Sequence, residues 1–182
     1  MSTPKHIALV GCGFSGTSAF FQLVDKFPVK RVTIFEATGD FGPGFAYRTN
    51  ESTDYLINNT TDTMCLVPSN RRAFIEWLKT KPGLAANLDE KGHLPRPIYG
   101  EFLKEVFAAT RLAACIKGIQ VDLIPHEVVE MIEKDDGVTL IWSGGRVDAD
   151  TAILTTGRST EYQPFPTPPA DGALYFGSHI EA

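Results

Sequence analysis

The chain has 182 residues, a formal net charge of −5 and a hydrophobic content of 43%, which is ordinary for a globular protein with one core. No run of Lys and Arg is longer than Arg71-Arg72, which argues against nucleic acid, and no apolar stretch is long enough to span a membrane. Three cysteines without metal-like spacing and an N-terminus without a signal arrangement favour the cytoplasm.

The first predicted elements follow the order of a dinucleotide-binding fingerprint. The apolar run Ile7–Val10 enters Gly11–Gly16, which has the pattern G-x-G-x-x-G. A helix-like stretch follows, and a second apolar run, Arg31–Phe35, ends on the acidic Glu36. Strand, glycine turn, helix, strand and acidic residue together predict the start of a Rossmann-type fold.

Each part of this fingerprint has a physical reason. Gly11 allows a sharp turn out of the strand, Gly13 allows backbone to approach a pyrophosphate, and Gly16 allows close helix packing. The N–H groups and the positive end of the helix dipole then face the phosphates. Glu36 is placed to accept hydrogen bonds from ribose hydroxyls. The alternative is a glycine-rich turn that binds no ligand.

The middle of the chain predicts a long loop and two helices. Residues 37–68 lack periodicity, and a compact domain seldom keeps so long a loop without a use. Helical spacing returns over Arg72–Leu78, with Asn70 as the expected N-cap and Pro82-Gly83 as the stop. A second helix is expected over Tyr99–Ile116.

From Gln120 onward, the sequence pattern becomes typical of β-strands. Asp135–Gly137 and Ser143–Gly145 are turn sequences between apolar runs, which predicts a three-stranded meander. Such a meander distinguishes a flavin-binding domain from a plain NAD domain. The expected strands are Val121–Ile124, Glu127–Ile132, Val138–Trp142, Arg146–Asp148 and an apolar run within Asp150–Gly157.

These elements predict an α/β fold: a Rossmann-type FAD-binding domain with a parallel sheet plus a three-stranded antiparallel β-meander. We expect this domain to cover residues 1–160 and to be incomplete. Residues 161–182 are rich in proline and are expected to form an extended tail or the start of a second domain.

With these residues placed, the chain resembles the FAD-binding portion of two-dinucleotide-binding flavoproteins, such as glutathione-reductase-like enzymes and flavin monooxygenases. Thr155–Gly157 matches their Ala-Thr-Gly-like motif, with Thr for Ala. More narrowly, the chain is similar to bacterial FAD/NAD(P)-binding proteins labelled FAD-dependent urate hydroxylase-like. Three segments carry this likeness: Gly42–Tyr47, Leu56–Met64 and Pro95–Leu103.

The resemblance implies FAD as cofactor, NAD(P)H as co-substrate, an unknown small-molecule substrate, and oxidoreductase or monooxygenase chemistry. It also implies adenine against Val128. Residues 37–68 are rich in Gly, Asn and Thr, with too few apolar residues to offset their ordering entropy, so we expect them to be mobile without flavin. Within them, Gly42–Tyr47 is expected to close over FAD rather than over protein. The second Rossmann unit and later Gly-Asp segment of such enzymes are not found, so we expect a fragment or a partner chain. The implied cofactor-binding residues are Gly11, Gly13, Phe14, Ser15, Gly16, Glu36, Ala37, Gly44, Phe45, Ala46, Tyr47, Asn58, Val128, Thr156 and Gly157.

Two other functions stay open at this point. One is an NAD-dependent dehydrogenase, which the meander and the lack of a catalytic His or Tyr-Lys set disfavour. The other is a non-catalytic nucleotide-binding module. Cys12 is interpreted as a small filler residue rather than a redox thiol, and no metal site is predicted. Arg96 and Tyr99 could line a substrate or flavin surface, or Arg96 could be a surface ion-pair residue.

Overall fold

A computed structural model describes residues 5–157 and gives them an α/β architecture with two sheets. The proline-rich segment 161–182 lies outside the described residues. The elements are β1 His6–Val10, α1 Phe14–Lys26, β2 Arg31–Phe35, α2 Ala73–Lys79, α3 Pro82–Ala85, α4 Arg96–Ile116, β3 Gln120–Ile124, β4 Glu130–Lys134, β5 Gly137–Trp142, β6 Gly145–Ala149 and β7 Thr151–Leu154, with 3₁₀ turns at Phe45–Tyr47 and Thr61–Thr63.

The main sheet is parallel, with strand order β3-β2-β1-β7. Val10 at the end of β1 pairs with Phe35 on one side and with Leu154 on the other. Phe35 in turn pairs with Ile124 at the end of β3. Because all four strands end in register, the residues that follow them meet at one edge of the sheet.

Helices α1 and α4 cover one face of this sheet. Leu9 and Ile34 point to that face and are fully buried. Phe20 of α1 and Phe107 of α4 pack there with ring centroids 5.4 Å apart. Burial of such large apolar side chains contributes about 1.5–3 kcal/mol each, which makes this helix layer a main source of stability.

The antiparallel sheet β4-β5-β6, which is the predicted meander, covers the opposite face. Alternate residues of β1 and β2, such as Val10 and Phe35, meet Leu140 of β5 and Ala149 of β6 in one apolar cluster. The ring of Phe35 meets that of Trp142 edge-on at 5.3 Å. The α/β fold with a parallel sheet and a three-stranded meander is therefore confirmed.

One meander strand lies further along the chain than expected. The sequence predicted a strand over Glu127–Ile132, whereas β4 runs over Glu130–Lys134. The tight turn pairs Lys134 with Gly137, so the register is set from the turn backwards. The N–H of Val129 donates to the carbonyl of Ile141, just before β4 begins. The residues before Val129 connect the two sheets rather than extending β4.

The short helices also differ from expectation. The predicted N-cap Asn70 does not cap α2, which begins at Ala73. The side chain of Asn70 instead accepts a hydrogen bond from the N–H of Arg72, just before the helix. Helix α2 ends at Lys79, just before Pro82-Gly83, as predicted; Pro82 also begins the short helix α3, since a helix needs no N–H donor in its first turn. None of the helices within residues 5–157 combines the length and apolar character needed to cross a bilayer.

Helix α4 begins three residues earlier than predicted, at Arg96 rather than Tyr99. The expectation placed Pro97 outside the helix, yet proline is tolerated in a first turn. The backbone N–H of Arg96 donates to Tyr55 at 2.7 Å, which ties this end of the helix to the long segment before it.

The long segment 37–68 is better packed than the sequence suggested. Ile57, Met64 and Leu66 are buried against α2 and α4 in a second apolar cluster. Leu56 forms a β-bridge with Pro95. The second half of this segment therefore buries more apolar surface than its composition suggested, while its mobility without flavin stays a prediction.

A glycine in α4 allows the long segment to lie against that helix. A Cβ at Gly100 would stand 1.9 Å from the carbonyl oxygen of Tyr47, whereas a Cβ at Gly83 in α3 would meet nothing. We predict that Gly100→Ala lowers the free energy of unfolding by about 1–3 kcal/mol, because the backbone must shift to make room. Urea denaturation measures this.

The matched control is Gly83→Ala, which makes the same chemical change in open space. We expect it to leave stability unchanged or to raise it by up to about 1 kcal/mol, because Ala favours helix. If both variants gave the same midpoint, the close contact of α4 with Tyr47 would be contradicted.

Candidate dinucleotide-binding site

The turn that leaves β1 depends on two glycines. Gly11 has φ of +93°, and its N–H donates to the carbonyl of Phe35 at 2.9 Å. A Cβ at Gly11 would lie 2.5 Å from the oxygen of Thr155, and one at Gly16 would lie 2.3 Å from the oxygen of Gly11. The roles predicted for these glycines, a sharp turn and close helix packing, are confirmed.

The turn delivers the chain into the N-terminus of α1. Gly13 occupies the N-cap position, and no side chain caps the helix. Thr17 donates its N–H to Gly13, but residues 5–157 offer no acceptor to the N–H groups of Gly13, Phe14 and Ser15. Such free donors, together with the helix dipole, attract an anion.

Glu36 closes the other side of this turn. One carboxylate oxygen accepts the N–H of Cys12 at 2.8 Å, and the other accepts the N–H and hydroxyl of Thr38 at 3.2 and 2.9 Å. Because each carboxylate oxygen can accept two hydrogen bonds, the oxygen bonded to Cys12 keeps room for one more, from a ribose hydroxyl. The neighbouring Ala37 is exposed.

Thr155, which is not among the predicted cofactor-binding residues, connects the end of β7 to the same turn. The N–H of Thr155 donates to Val10 at 2.8 Å, and its hydroxyl donates to Gly11 at 2.7 Å. One sequence feature could have predicted this role of Thr155: the motif has Thr where related proteins have Ala, and a hydroxyl can form a hydrogen bond that a methyl group cannot. Thr156 and Gly157 follow and are exposed.

The glycine-rich segment Gly42–Tyr47 lies directly on the phosphate loop. The N–H of Gly42 donates to Cys12 at 2.8 Å, and its carbonyl accepts the Thr17 hydroxyl at 3.1 Å. A Cβ at Gly44 would stand 2.5 Å from the Cα of Gly13. The expectation that this segment closes over FAD rather than over protein is therefore wrong for its glycines.

The same contact adds a second reason for glycine at position 13. A Cβ at Gly13 would lie 3.2 Å from the Cα of Gly44, which is tighter than ordinary van der Waals contact. Close approach of a pyrophosphate is thus one use of this glycine, and contact with the neighbouring segment is another.

The remaining predicted residues lie at different distances from the turn. Phe45 and Ala46 are exposed, and the Arg48 guanidinium lies 4.5 Å from the centre of the Phe45 ring. Tyr47 is half-buried, with its ring 6.4 Å from that of Phe14.

Asn58 and Val128 have no direct contact with the phosphate loop among the contacts of residues 5–157. Asn58 is exposed and accepts a hydrogen bond from Arg96 at 3.0 Å. Val128 packs beside Phe35 and the meander, near the carboxyl ends of β2 and β3. The structure therefore brings the glycines, Glu36 and Thr155 together, while these two residues lie at the margins.

Residues 5–157 contain no cluster of three or more His, Cys, Asp or Glu side chains that could hold a metal ion. His6 instead shares a hydrogen bond of 2.9 Å with Thr33, and His93 shares one of 2.9 Å with the carbonyl of Ile57. These contacts are structural.

Cys12 lies inside the phosphate loop but is buried in the core beneath it. Burial raises the pKa of the Cys12 thiol to about 12, against the opposing effect of hydrogen bonds with Thr17 and Gly42. The thiol is therefore protonated at physiological pH, which agrees with its interpretation as a filler residue.

We predict that iodoacetamide at mildly alkaline pH alkylates the exposed Cys115 but leaves Cys12 unmodified in the folded protein. The reason is that only a thiolate reacts, and the pKa of Cys12 lies far above the pH of the experiment. Mass spectrometry of the peptides measures each site. A urea-unfolded sample should lose the difference; equal labelling of both sites in the native protein would contradict the prediction.

Comparison with known proteins gives the family to which this site belongs. A family model described as FAD-NAD(P)-binding matches residues 8–159. Uncharacterized protein YdhS of Escherichia coli (strain K12) is 25% identical over 111 residues, which are 57% of this chain and 20% of the relative. The chain thus spans about a fifth of that relative's length.

A solved flavoprotein is similar in fold. A flavin monooxygenase from Stenotrophomonas maltophilia, solved as a double mutant, superposes with a TM-score of 0.56 at 15% identity, covering 85% of this chain and 38% of that one. The HOCl-induced flavoprotein disulfide reductase RclA of Escherichia coli gives a TM-score of 0.41 at 12% identity, covering 87% and 23%. FAD and NAD(P) are the ligands in the description of the matching family, and since its model covers most of the chain, this protein belongs to the FAD-NAD(P)-binding family.

Proposed function

We propose that this chain is the FAD-binding domain of a flavin-dependent, NAD(P)H-linked oxidoreductase or monooxygenase. The chain would hold the AMP half of FAD at the turn after β1 and orient the flavin toward the segment Gly42–Tyr47. The urate hydroxylase-like group is the narrower relationship that we propose within the family. The substrate, the reaction of the whole protein and any further domain or partner chain belong to this proposal as well.

One observation carries the proposal: the arrangement of donors and acceptors around the turn. The N–H groups of Gly13, Phe14 and Ser15, which have no acceptor among residues 5–157, could donate hydrogen bonds to a negatively charged pyrophosphate. Glu36 follows the neighbouring strand, where its carboxylate can accept one further hydrogen bond, from a ribose hydroxyl. This donor and acceptor set fits a dinucleotide and would fit neither a cation nor an apolar ligand.

Bound FAD would supply hydride and electron transfer, which no side chain of the chain provides. The work of the protein is to bind and orient. Gly11, Gly16 and Thr155 keep the turn rigid, so that its donors do not have to reorganise when the phosphates arrive. We retain the whole predicted set as cofactor-binding residues, with Val128 beside the adenine.

The flavin function is favoured over the NAD-dependent dehydrogenase by the meander on the sheet face opposite the helices. A non-catalytic nucleotide-binding module would share the same turn, and NAD(P)H oxidation with bound FAD separates the two. A reducing cytoplasm is the location we propose, supported by the free state of Cys12, Cys65 and Cys115.

We predict that the protein binds FAD about tenfold or more tightly than FMN, because FMN lacks the AMP half that the turn would hold. Flavin fluorescence during titration reports both affinities, and ADP should displace FAD in competition. Binding of FMN as tight as that of FAD, or a failure of ADP to compete, would contradict the proposal.

Glu36→Ala should weaken ADP binding by about tenfold or more, because hydrogen bonds to a charged group contribute about 1.5–3 kcal/mol each. Isothermal titration calorimetry measures the change. Glu133→Ala is the matched control, since Glu133 is an exposed glutamate on β4. The assignment of Glu36 to the ribose fails if both variants bind ADP with the affinity of the natural protein.

A further inference from the structure

The first turn of α4 carries a cation, Arg96, that forms no ion pair within residues 5–157. Arg96 donates from Nε to the carbonyl of Leu56 and from Nη2 to Oδ1 of Asn58, both at 3.0 Å. Among residues 5–157, no carboxylate lies within ion-pair distance of its guanidinium. Neutral acceptors therefore hold the group in place without cancelling its charge.

Other arginines on this surface differ in this respect. Arg48 is paired with Glu51 at 2.5 Å, and Arg72 is paired with Glu90 at 2.8 Å. The hydrogen bond from Arg48 is the main cause of the lowered pKa of the Glu51 carboxyl, and the charge of Arg96 lowers it further. A guanidinium has five N–H donors, so Arg96 retains donors for a bidentate carboxylate.

A second, independent feature lies three residues further along the helix. Tyr99 is fully buried, yet its hydroxyl has no hydrogen-bond partner among residues 5–157. Residues spaced by three share one face of a helix, so Arg96 and Tyr99 lie on the same side of α4. An unpaired buried hydroxyl destabilises the folded protein and is rare, which indicates that something other than stability retains it.

Tyr47 lies close to both Arg96 and Tyr99. Its ring meets that of Tyr99 edge-on at 5.0 Å. Burial raises the pKa of the Tyr47 hydroxyl, and the nearby charge of Arg96 lowers it in part. Burial is also the main cause of the raised pKa of Tyr99, and Tyr47 and Cys65 add to it. Both phenols are therefore protonated at neutral pH and can donate.

These residues adjoin the dinucleotide site. The ring of Phe14, which begins α1, lies 6.2 Å from Tyr99 and 6.4 Å from Tyr47. The Tyr47 backbone packs against Gly100, and its ring packs against that of Tyr99. The aromatic walls suit a flat ligand, and the three polar groups suit an anion.

We propose that Arg96, Tyr47 and Tyr99 form the substrate subsite, and that the substrate is a planar molecule bearing a carboxylate. The guanidinium binds the carboxylate, Phe14 and Tyr47 flank the ring, and the Tyr99 hydroxyl donates to the ligand once the Tyr47 side chain moves aside. That the ligand is a substrate rests on the proposed flavin function, whereas the binding of a carboxylate at Arg96 does not depend on it.

Benzoate is the probe, and calorimetry on the full chain is the measurement. We expect benzoate to bind, benzamide to bind about tenfold more weakly because it lacks the charge, and Arg96→Gln to lose about tenfold in benzoate affinity. Arg71→Gln is the matched control, because Arg71 is an exposed arginine outside the site. Absence of benzoate binding, or equal binding by both arginine variants, overturns the proposal.

Tyr99→Phe separates a ligand-binding hydroxyl from one that is merely buried. Removing the unpaired hydroxyl should raise the melting temperature of the ligand-free protein and weaken benzoate binding several-fold. A stability gain with unchanged affinity, or a stability loss that shows an unseen bridging water, overturns the role of Tyr99.

FAD titration of the natural chain keeps the two proposals apart. If the natural chain binds benzoate through Arg96 but does not bind FAD, the proposed flavin function fails and the carboxylate subsite stands. If FAD binds and benzoate does not, the subsite fails alone.

Discussion

At the carboxyl end of β1, several backbones approach one another so closely that no side chain could stand between them. Gly11 lies against the oxygen of Thr155, Gly16 against the oxygen of Gly11, and Gly44 against the Cα of Gly13. A Cβ at any one of these glycines would collide with backbone or approach it too closely. The parallel sheet, the start of α1 and the glycine-rich segment all depend on this contact, because each of them enters or leaves the same small volume.

This close contact has an electrostatic consequence. Because the turn is filled by backbone, its N–H groups are either bonded internally, as in Gly11, or left facing outward at the start of α1. The in-register strand ends then bring Glu36 beside those donors. Donors for a phosphate and an acceptor for a sugar thus stand side by side on rigid elements, which is the arrangement that a dinucleotide requires.

The same principle of close contact extends to the far side of the glycine-rich segment. Gly100 admits the Tyr47 carbonyl against α4, and the second apolar cluster, including Ile57 and Leu66, holds the rest of the long segment in place. A segment without periodicity therefore gains order from helices distant in the chain. Its packing also explains how a Tyr99 hydroxyl without a hydrogen-bond partner among residues 5–157 is tolerated, since burial of large aromatic surface around it offsets the cost.

By itself, the sequence determined the features that arise from local patterns. Glycine spacing predicted the turn at Gly11, and the Asp135–Gly137 turn predicted the hairpin after β4, because turn chemistry and periodicity act over a few residues. Only the tertiary structure decided which groups meet. Thr155 reaches Gly11 across 144 positions, and Arg96 reaches Asn58 across 38. Such contacts leave no local pattern, since they depend on packing between elements that the chain brings together only when it folds.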